Sequence, residues 1–146
     1  MMVLNRKFSL LPERMAISRL PKDASPPSWA LSGPFFSVTR TEEELSVVCP
    51  QINVPEGIKR DEGWRVLKVE GPLDLSATGI LVSLITPLAR ERISVFAVST
   101  YDTDCLLVKE ESLKKAVQVL SGEGHEIRED SSEFRVRSRK SKDSSE

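Results

Sequence analysis

The stretch from Trp64 to Arg128 reads WRVLKVEGPLDLSATGILVSLITPLARERISVFAVSTYDTDCLLVKEESLKKAVQVLSGEGHEIR, and its switching between period 2 and period 3.6 decides the fold. Residues 64–70 (WRVLKVE) are β-rich and stop at Gly71-Pro72, a pair that removes an amide donor and frees the backbone. From Ser76 the period changes. Ile80, Leu81, Leu84, Ile85, Leu88 and Ala89 recur as one helical stripe, with Ser76 or Thr78 as the natural N-cap. Pro87 falls inside that helix, and a bend is expected near Ser83, whose carbonyl loses its donor. Residues 93–100 (ISVFAVST) are nearly all apolar, 101–104 (YDTD) form a turn, and 105–109 (CLLVK) return antiparallel as a buried hairpin. Glu110 and Glu111 open a second helix at its dipole-favoured end, Leu113, Ala116, Val117 and Leu120 form its stripe, and Gly122 closes it. Residues 125–128 supply a last strand. The order β-α-β-β-α-β predicts an α+β, ferredoxin-like unit with both helices on one face of an antiparallel sheet.

Sixty residues upstream, Ser37–Cys49 (SVTRTEEELSVVC) aligns without gaps on Ala97–Lys109 (AVSTYDTDCLLVK), and both read as strand, acidic turn, strand. Val38 falls on Val98, Glu44 on Asp104, Val47 on Leu107 and Val48 on Val108, so apolar and acidic positions correspond together. Two copies of one unit are expected. The first is divergent, because between residues 14–20 (RMAISRL) and Phe35 only residues 26–31 can make a short helix. The expected organisation is a divergent N-terminal unit over residues 1–63, a C-terminal unit over 64–128 and a charged, Ser-rich tail over 129–146. That tail holds too little apolar surface to offset its ordering entropy. Its basic run, Arg135, Arg137, Arg139, Lys140 and Lys142, reads as a solvated end or as a contact for nucleic acid or a partner.

Composition narrows the function classes. The 146 residues are 39% hydrophobic, enough for a real core. Lys and Arg total 21 against 22 Asp and Glu, so a net charge of -1 provides no field toward nucleic acid or an anionic membrane. No apolar run exceeds four residues, too short for a membrane span or the core of a secretory signal. A soluble, cytoplasmic protein is expected. Cys49 and Cys105 lie 56 positions apart and His125 is the sole histidine, so no metal-ligand pattern exists. A Cys-His or Ser-His-Asp arrangement would have to run through His125, whose polar Gly-Glu-Gly-His setting reads as a solvated strand edge. Neither metal, cofactor nor catalysis is expected.

Binding is the remaining chemistry. The segment 71–79 (GPLDLSATG) joins strand to helix and presents backbone amides at a positive dipole end, suited to a carboxylate. Asp74, Ser76 and Thr78 either contact that ligand or cap their own helix, and Gly71 and Gly79 relieve sterics. The turn 99–104 (STYDTD) carries Asp102 and Asp104, which either hold an ammonium or guanidinium or perform ordinary Asp turn chemistry. An anion site beside a cation site implies a zwitterion.

Residues 68–81 (KVEGPLDLSATGIL), 93–110 (ISVFAVSTYDTDCLLVKE) and 33–50 (GPFFSVTRTEEELSVVCP) together resemble the double ACT-domain proteins related to the CASTOR cytosolic arginine sensors. The resemblance runs from about Phe8 to Ile127 and implies tandem βαββαβ ACT units that bind an amino acid where two units or two subunits meet. It implies regulation without catalysis, in a homodimer. Carried across, Asp104 matches the hairpin acid beside the ligand's cation, Thr100, Tyr101 and Thr103 match turn positions lining the pocket, and Gly71 and Asp74 match the loop before the helix. This chain departs from the sensors by being about half as long, which leaves half of such a pocket to a second chain. The other reading is a protein–protein assembly module that kept the ACT architecture without a ligand.

Overall fold

Strand and helix periods are realised in the order β1 (Lys7–Leu20), β2 (Ser37–Arg40), β3 (Leu45–Pro50), β4 (Lys59–Val69), α1 (Ile80–Arg90), β5 (Phe96–Ser99), β6 (Asp104–Lys109), α2 (Glu110–Gly122) and β7 (Glu126–Glu129). The computed structural model describes residues 5–74 and 78–129. Ser76, and the expected tail beyond Glu129, lie outside them. The described residues group into a unit of Glu13–Trp64 and a unit made of those through Pro12 and from Arg65 on. The first residues of β1 thus group with the C-terminal unit, although chain order had put them with the N-terminal one.

In the C-terminal unit, β4-α1-β5-β6-α2-β7 is the expected βαββαβ order of an α+β ferredoxin-like fold. The sheet runs β1-β4-β6-β5, and β7 pairs with β1, Lys7–Leu10 lying parallel to Glu126–Glu129. A fifth strand has entered between β4 and β7. Its apolar positions explain the insertion, since Phe8 and Leu10 are buried in one core with Leu67, Val69, Leu84, Leu88, Leu106, Val108, Ala116 and Leu120. Each of these Phe, Leu and Val side chains contributes about 1.5–3 kcal/mol when taken from water. Helices α1 and α2 pack on this core and against each other.

α1 starts later than its pattern implied. Its N-cap is Gly79, at φ 79°, with no side-chain cap, so Thr78 does not cap it. A left-handed start costs little only for glycine. Pro87 stays inside the helix with its ring buried beside Leu84 and Leu88, while Ala89 is exposed and off the stripe. α2 follows its pattern from Glu110 to Gly122, with Glu110 and Glu111 in its first turn.

The N-terminal unit pairs β2 with β3 and β3 with Met15–Leu20 of β1, all antiparallel. Its core holds Ala16, Leu20, Leu45, Val47, Cys49 and Val54, with Ala30 supplied by a 3-10 turn, Ser28–Leu31. Arg40 secures the long connection by donating from its guanidinium to the Lys22 and Ala24 carbonyls. Where the C-terminal unit has α-helices, this connection has only the 3-10 turn.

The two hairpins correspond, but at a spacing one residue shorter than the gapless alignment. Arg40 pairs with Leu45 across one four-residue loop and Ser99 with Asp104 across the other. Thr41 N–H donates to Glu44 O (2.9 Å) as Thr100 N–H donates to Thr103 O (2.7 Å). Both threonine hydroxyls also accept amides within their own loops. The true partners are Thr41 and Thr100, and a one-residue slip moves each aligned side chain to the opposite face. Among the described residues no helix is long and apolar enough to cross a membrane.

Candidate ligand site

The segment after β4 and the β5–β6 turn meet within the C-terminal unit. Leu73 N–H donates to Asp102 O (2.6 Å), tying the loop to the turn tip. Thr103, 5% exposed, donates its hydroxyl to Val69 O at 2.6 Å. Gly71 completes the join, because a Cβ there would stand 2.8 Å from Asp102 O and 3.2 Å from Thr103 Cβ. Gly71→Ala is expected to cost about 1–3 kcal/mol by forcing turn and loop apart, as urea denaturation will show.

Above this join lies a cavity of about 250 Å³ lined by Leu73, Asp74, Gly79, Ile80, Leu81 and residues 99–104. It is slightly smaller than the roughly 300–1,000 Å³ of drug-sized sites, a scale suited to a small metabolite. Gly79, Ile80 and Leu81 at the start of α1 lie on one side, where the first amides of a helix have no acceptor within it. Asp74, Asp102 and Asp104 supply carboxylates to the same lining. Ser99 donates its hydroxyl to Asp104 Oδ1 (2.7 Å), and Thr100 Oγ1 both donates to Thr103 O and accepts Thr103 N–H. The turn is thus braced from within, and Tyr101, 80% exposed, stands at its tip.

Of the residues singled out in the sequence, Asp74, Thr100, Tyr101, Thr103 and Asp104 line this cavity. Gly71 lies behind the turn as a packing position, and Thr78 is exposed outside the described lining. Ser76 falls outside the described residues. The apolar floor of Leu73, Ile80 and Leu81 was not anticipated, because half-buried residues on a helical stripe read as core. Ser99 and Asp102 belonged to the recognised turn, and strand alternation at Ser99 was the signal that could have added it.

His125 is not the solvated edge residue its setting implied. It is 4% exposed, accepts Arg6 N–H on Nδ1 at 3.0 Å and meets the Phe8 ring edge-on at 5.6 Å. Cys49 and Cys105 are free and buried. Burial pushes both thiols up, Cys105 to about 11 with Lys68 partly opposing. Because the thiolate is the reactive form, neither should react with iodoacetamide at pH 8 while folded, and both should in urea, as mass spectrometry will count. Rapid labelling of the native chain would mean that these strands open readily. Among the described residues no three His, Cys, Asp or Glu are grouped to hold a metal ion.

A family model described as an ACT domain matches residues 59–122, and a second model, of an N-terminal domain, matches 13–57. The bovine protein named cytosolic arginine sensor for mTORC1 subunit 1 is 33% identical over 104 residues, 61% of this chain and 30% of that protein. The matched stretch therefore spans about a third of the length of the arginine-sensor relatives. A solved Agrobacterium tumefaciens protein is 38% identical with a TM-score of 0.83, covering 88% of this chain and 96% of its own. Clostridium acetobutylicum aspartate kinase superposes with a TM-score of 0.63 at 11% identity, over 84% of this chain and 35% of the kinase, a likeness of fold alone. Over residues 59–122 this chain matches the ACT-domain family, and it is similar to the cytosolic arginine sensors.

Proposed function

We propose that this chain is a non-catalytic regulatory protein that binds a free amino acid at the cavity between α1 and the β5–β6 turn. The observation that carries the reading is the meeting of first-turn amides and turn carboxylates around one small hollow. An amino acid offers the matching pair, a carboxylate for the amides and a cation for the acids. In this proposal the chain acts in the cytoplasm as a homodimer, with the partner subunit closing over the ligand, and needs no cofactor, nucleic acid or membrane. The bovine relative's name, a cytosolic arginine sensor, supports the same role.

Calorimetric titration with each of the twenty amino acids tests the proposal. At least one should bind with a Kd below about 10 mM, where the association free energy is already a few kcal/mol. Silence across the set overturns it. A second reading, a ligand-free assembly module, draws on one observation: Ser99, Thr100 and Thr103 already bond within the hairpin or to Val69. Its signature is a partner recovered equally with and without amino acids, and indifferent to Asp104→Ala.

A further inference from the structure

The buried histidine takes no part in the cavity, and its contacts converge on one joint. Arg6 is pinned at both of its backbone polar groups, its N–H on His125 Nδ1 (3.0 Å) and its carbonyl accepting Glu126 N–H (2.9 Å). His125 N–H in turn donates to Leu120 O (3.1 Å), which anchors the ring's backbone to the end of α2. Gly124, at φ +97°, sits against Asn5, where a Cβ would stand 2.6 Å from Oδ1. Immediately beyond this joint begins the parallel ladder of Lys7–Leu10 with Glu126–Glu129.

We infer that His125 is an acid-released latch that holds β7 against β1. An imidazole accepting Arg6 N–H on Nδ1 carries its proton on Nε2, and that atom is buried without a hydrogen-bond partner. A second proton has to enter on Nδ1, where the Arg6 amide already points. The new cation then sits in a 4% exposed place, its ring nearly perpendicular to that of Phe8 at 5.6 Å. The charges acting on it are Glu123 from the end of α2 and Arg6 from the N-terminal strand side, and Lys7 and Glu126 face each other in the first rung of the ladder beside it. Burial and Arg6 hold the imidazole below its ordinary range, with Glu123 opposing.

The sign follows. With the closed-state pKa below that of the opened state, the opened state binds more protons between the two values, so falling pH favours opening. β7 is the strand that leaves. Only Ile127 of its four residues packs on the core, whereas Phe8 and Leu10 anchor β1 at 0% and 5% exposure. The exposed Arg128–Glu70 pair (3.0 Å) is a further side-chain tie on β7. Release bares the backbone edge of Lys7–Leu10, a template for another extended strand.

Amide hydrogen exchange of the full chain between pH 7.5 and 5.5, expressed as protection factors so that intrinsic chemistry divides out, reads the latch. Protection at Arg6, Glu126 and Arg128 should fall several-fold, toward a ceiling of about tenfold set by an ordinary His pKa near 6.5 in the opened state. Amides of β6 should not change. His125→Asn keeps an acceptor for Arg6 N–H without a titrating ring and should hold protection constant. The wild-type ring signal, followed by NMR over the same range, serves if that variant folds poorly, because its titration and the amide opening should share one midpoint. Unchanged protection while the ring titrates, or an equal loss in His125→Asn, overturns the latch.

Discussion

Phe8→Ala lowers the stability of the chain by about 3–5 kcal/mol, a large share of the roughly 5–15 kcal/mol that holds a typical domain. The expectation rests on position. Phe8 is fully buried among Leu67, Val69, Leu84, Leu88, Leu106 and Leu120, residues contributed by β4, β6 and both helices, and its ring makes a T-shaped contact with His125. Truncation removes a large apolar surface and leaves a cavity that strands fixed by backbone ladders cannot close. Urea denaturation followed by circular dichroism reads the change, and Ile52→Ala, at a side chain 90% exposed, is the control expected to stay within about 0.5 kcal/mol. A loss under about 1 kcal/mol for Phe8→Ala means that residues before Pro12 are not structural members of the C-terminal core.

That insertion shows where a sequence stops being legible. The βαββαβ order was readable because α1 and α2 carry clean apolar stripes and because Gly71-Pro72 and residues 100–103 punctuate the strands between them. β1 was only half readable. Met15, Ala16 and Ile17 form a short apolar run that a buried strand can use, but Pro12 lacks an amide donor and argues against a strand running through it. The structure resolves the conflict locally: the β7 ladder ends at Leu10 and the β3 ladder begins at Met15, so Pro12 falls between them. No local pattern announces that Lys7–Leu10 pairs with residues almost 120 positions away.

The site was legible for a similar reason and to a similar depth. Turn chemistry in residues 99–104 and the amides opening α1 are local properties, so Asp74 and Asp104 could be singled out from the residues themselves, while Thr100, Tyr101 and Thr103 came only through the family resemblance. Their division of labour could not. Thr103 spends its hydroxyl on Val69 O, and Gly71 is needed for a backbone approach rather than for a ligand, facts that depend on how close two segments come. His125 misled for the opposite reason: polar neighbours in sequence gave it a solvated reading, while the strand that buries it begins at the other end of the chain.

Asp104→Asn is expected to weaken amino-acid binding about 10- to 150-fold, the loss of one charge-assisted hydrogen bond worth about 1.5–3 kcal/mol. The amide is chosen over alanine because its carbonyl still accepts the Ser99 hydroxyl that now donates to Asp104 Oδ1, so the β5–β6 pair is kept and the charge alone is removed. Thermal unfolding without ligand should therefore match the parent, and the ligand-induced rise in midpoint should shrink with the affinity. Asp102→Asn provides the comparison, since the Asp102 carbonyl, not its side chain, accepts the Leu73 amide and fixes the loop. The described lining holds three aspartates and neither Lys nor Arg, so each removed charge should also flatten the dependence of binding on salt. If Asp104→Asn binds as well as the parent, the ligand's cation is held elsewhere and the turn carboxylates are turn chemistry after all. If it binds weakly but also melts several degrees lower without ligand, Asp104 holds the hairpin first, and the ligand meets it only through that frame.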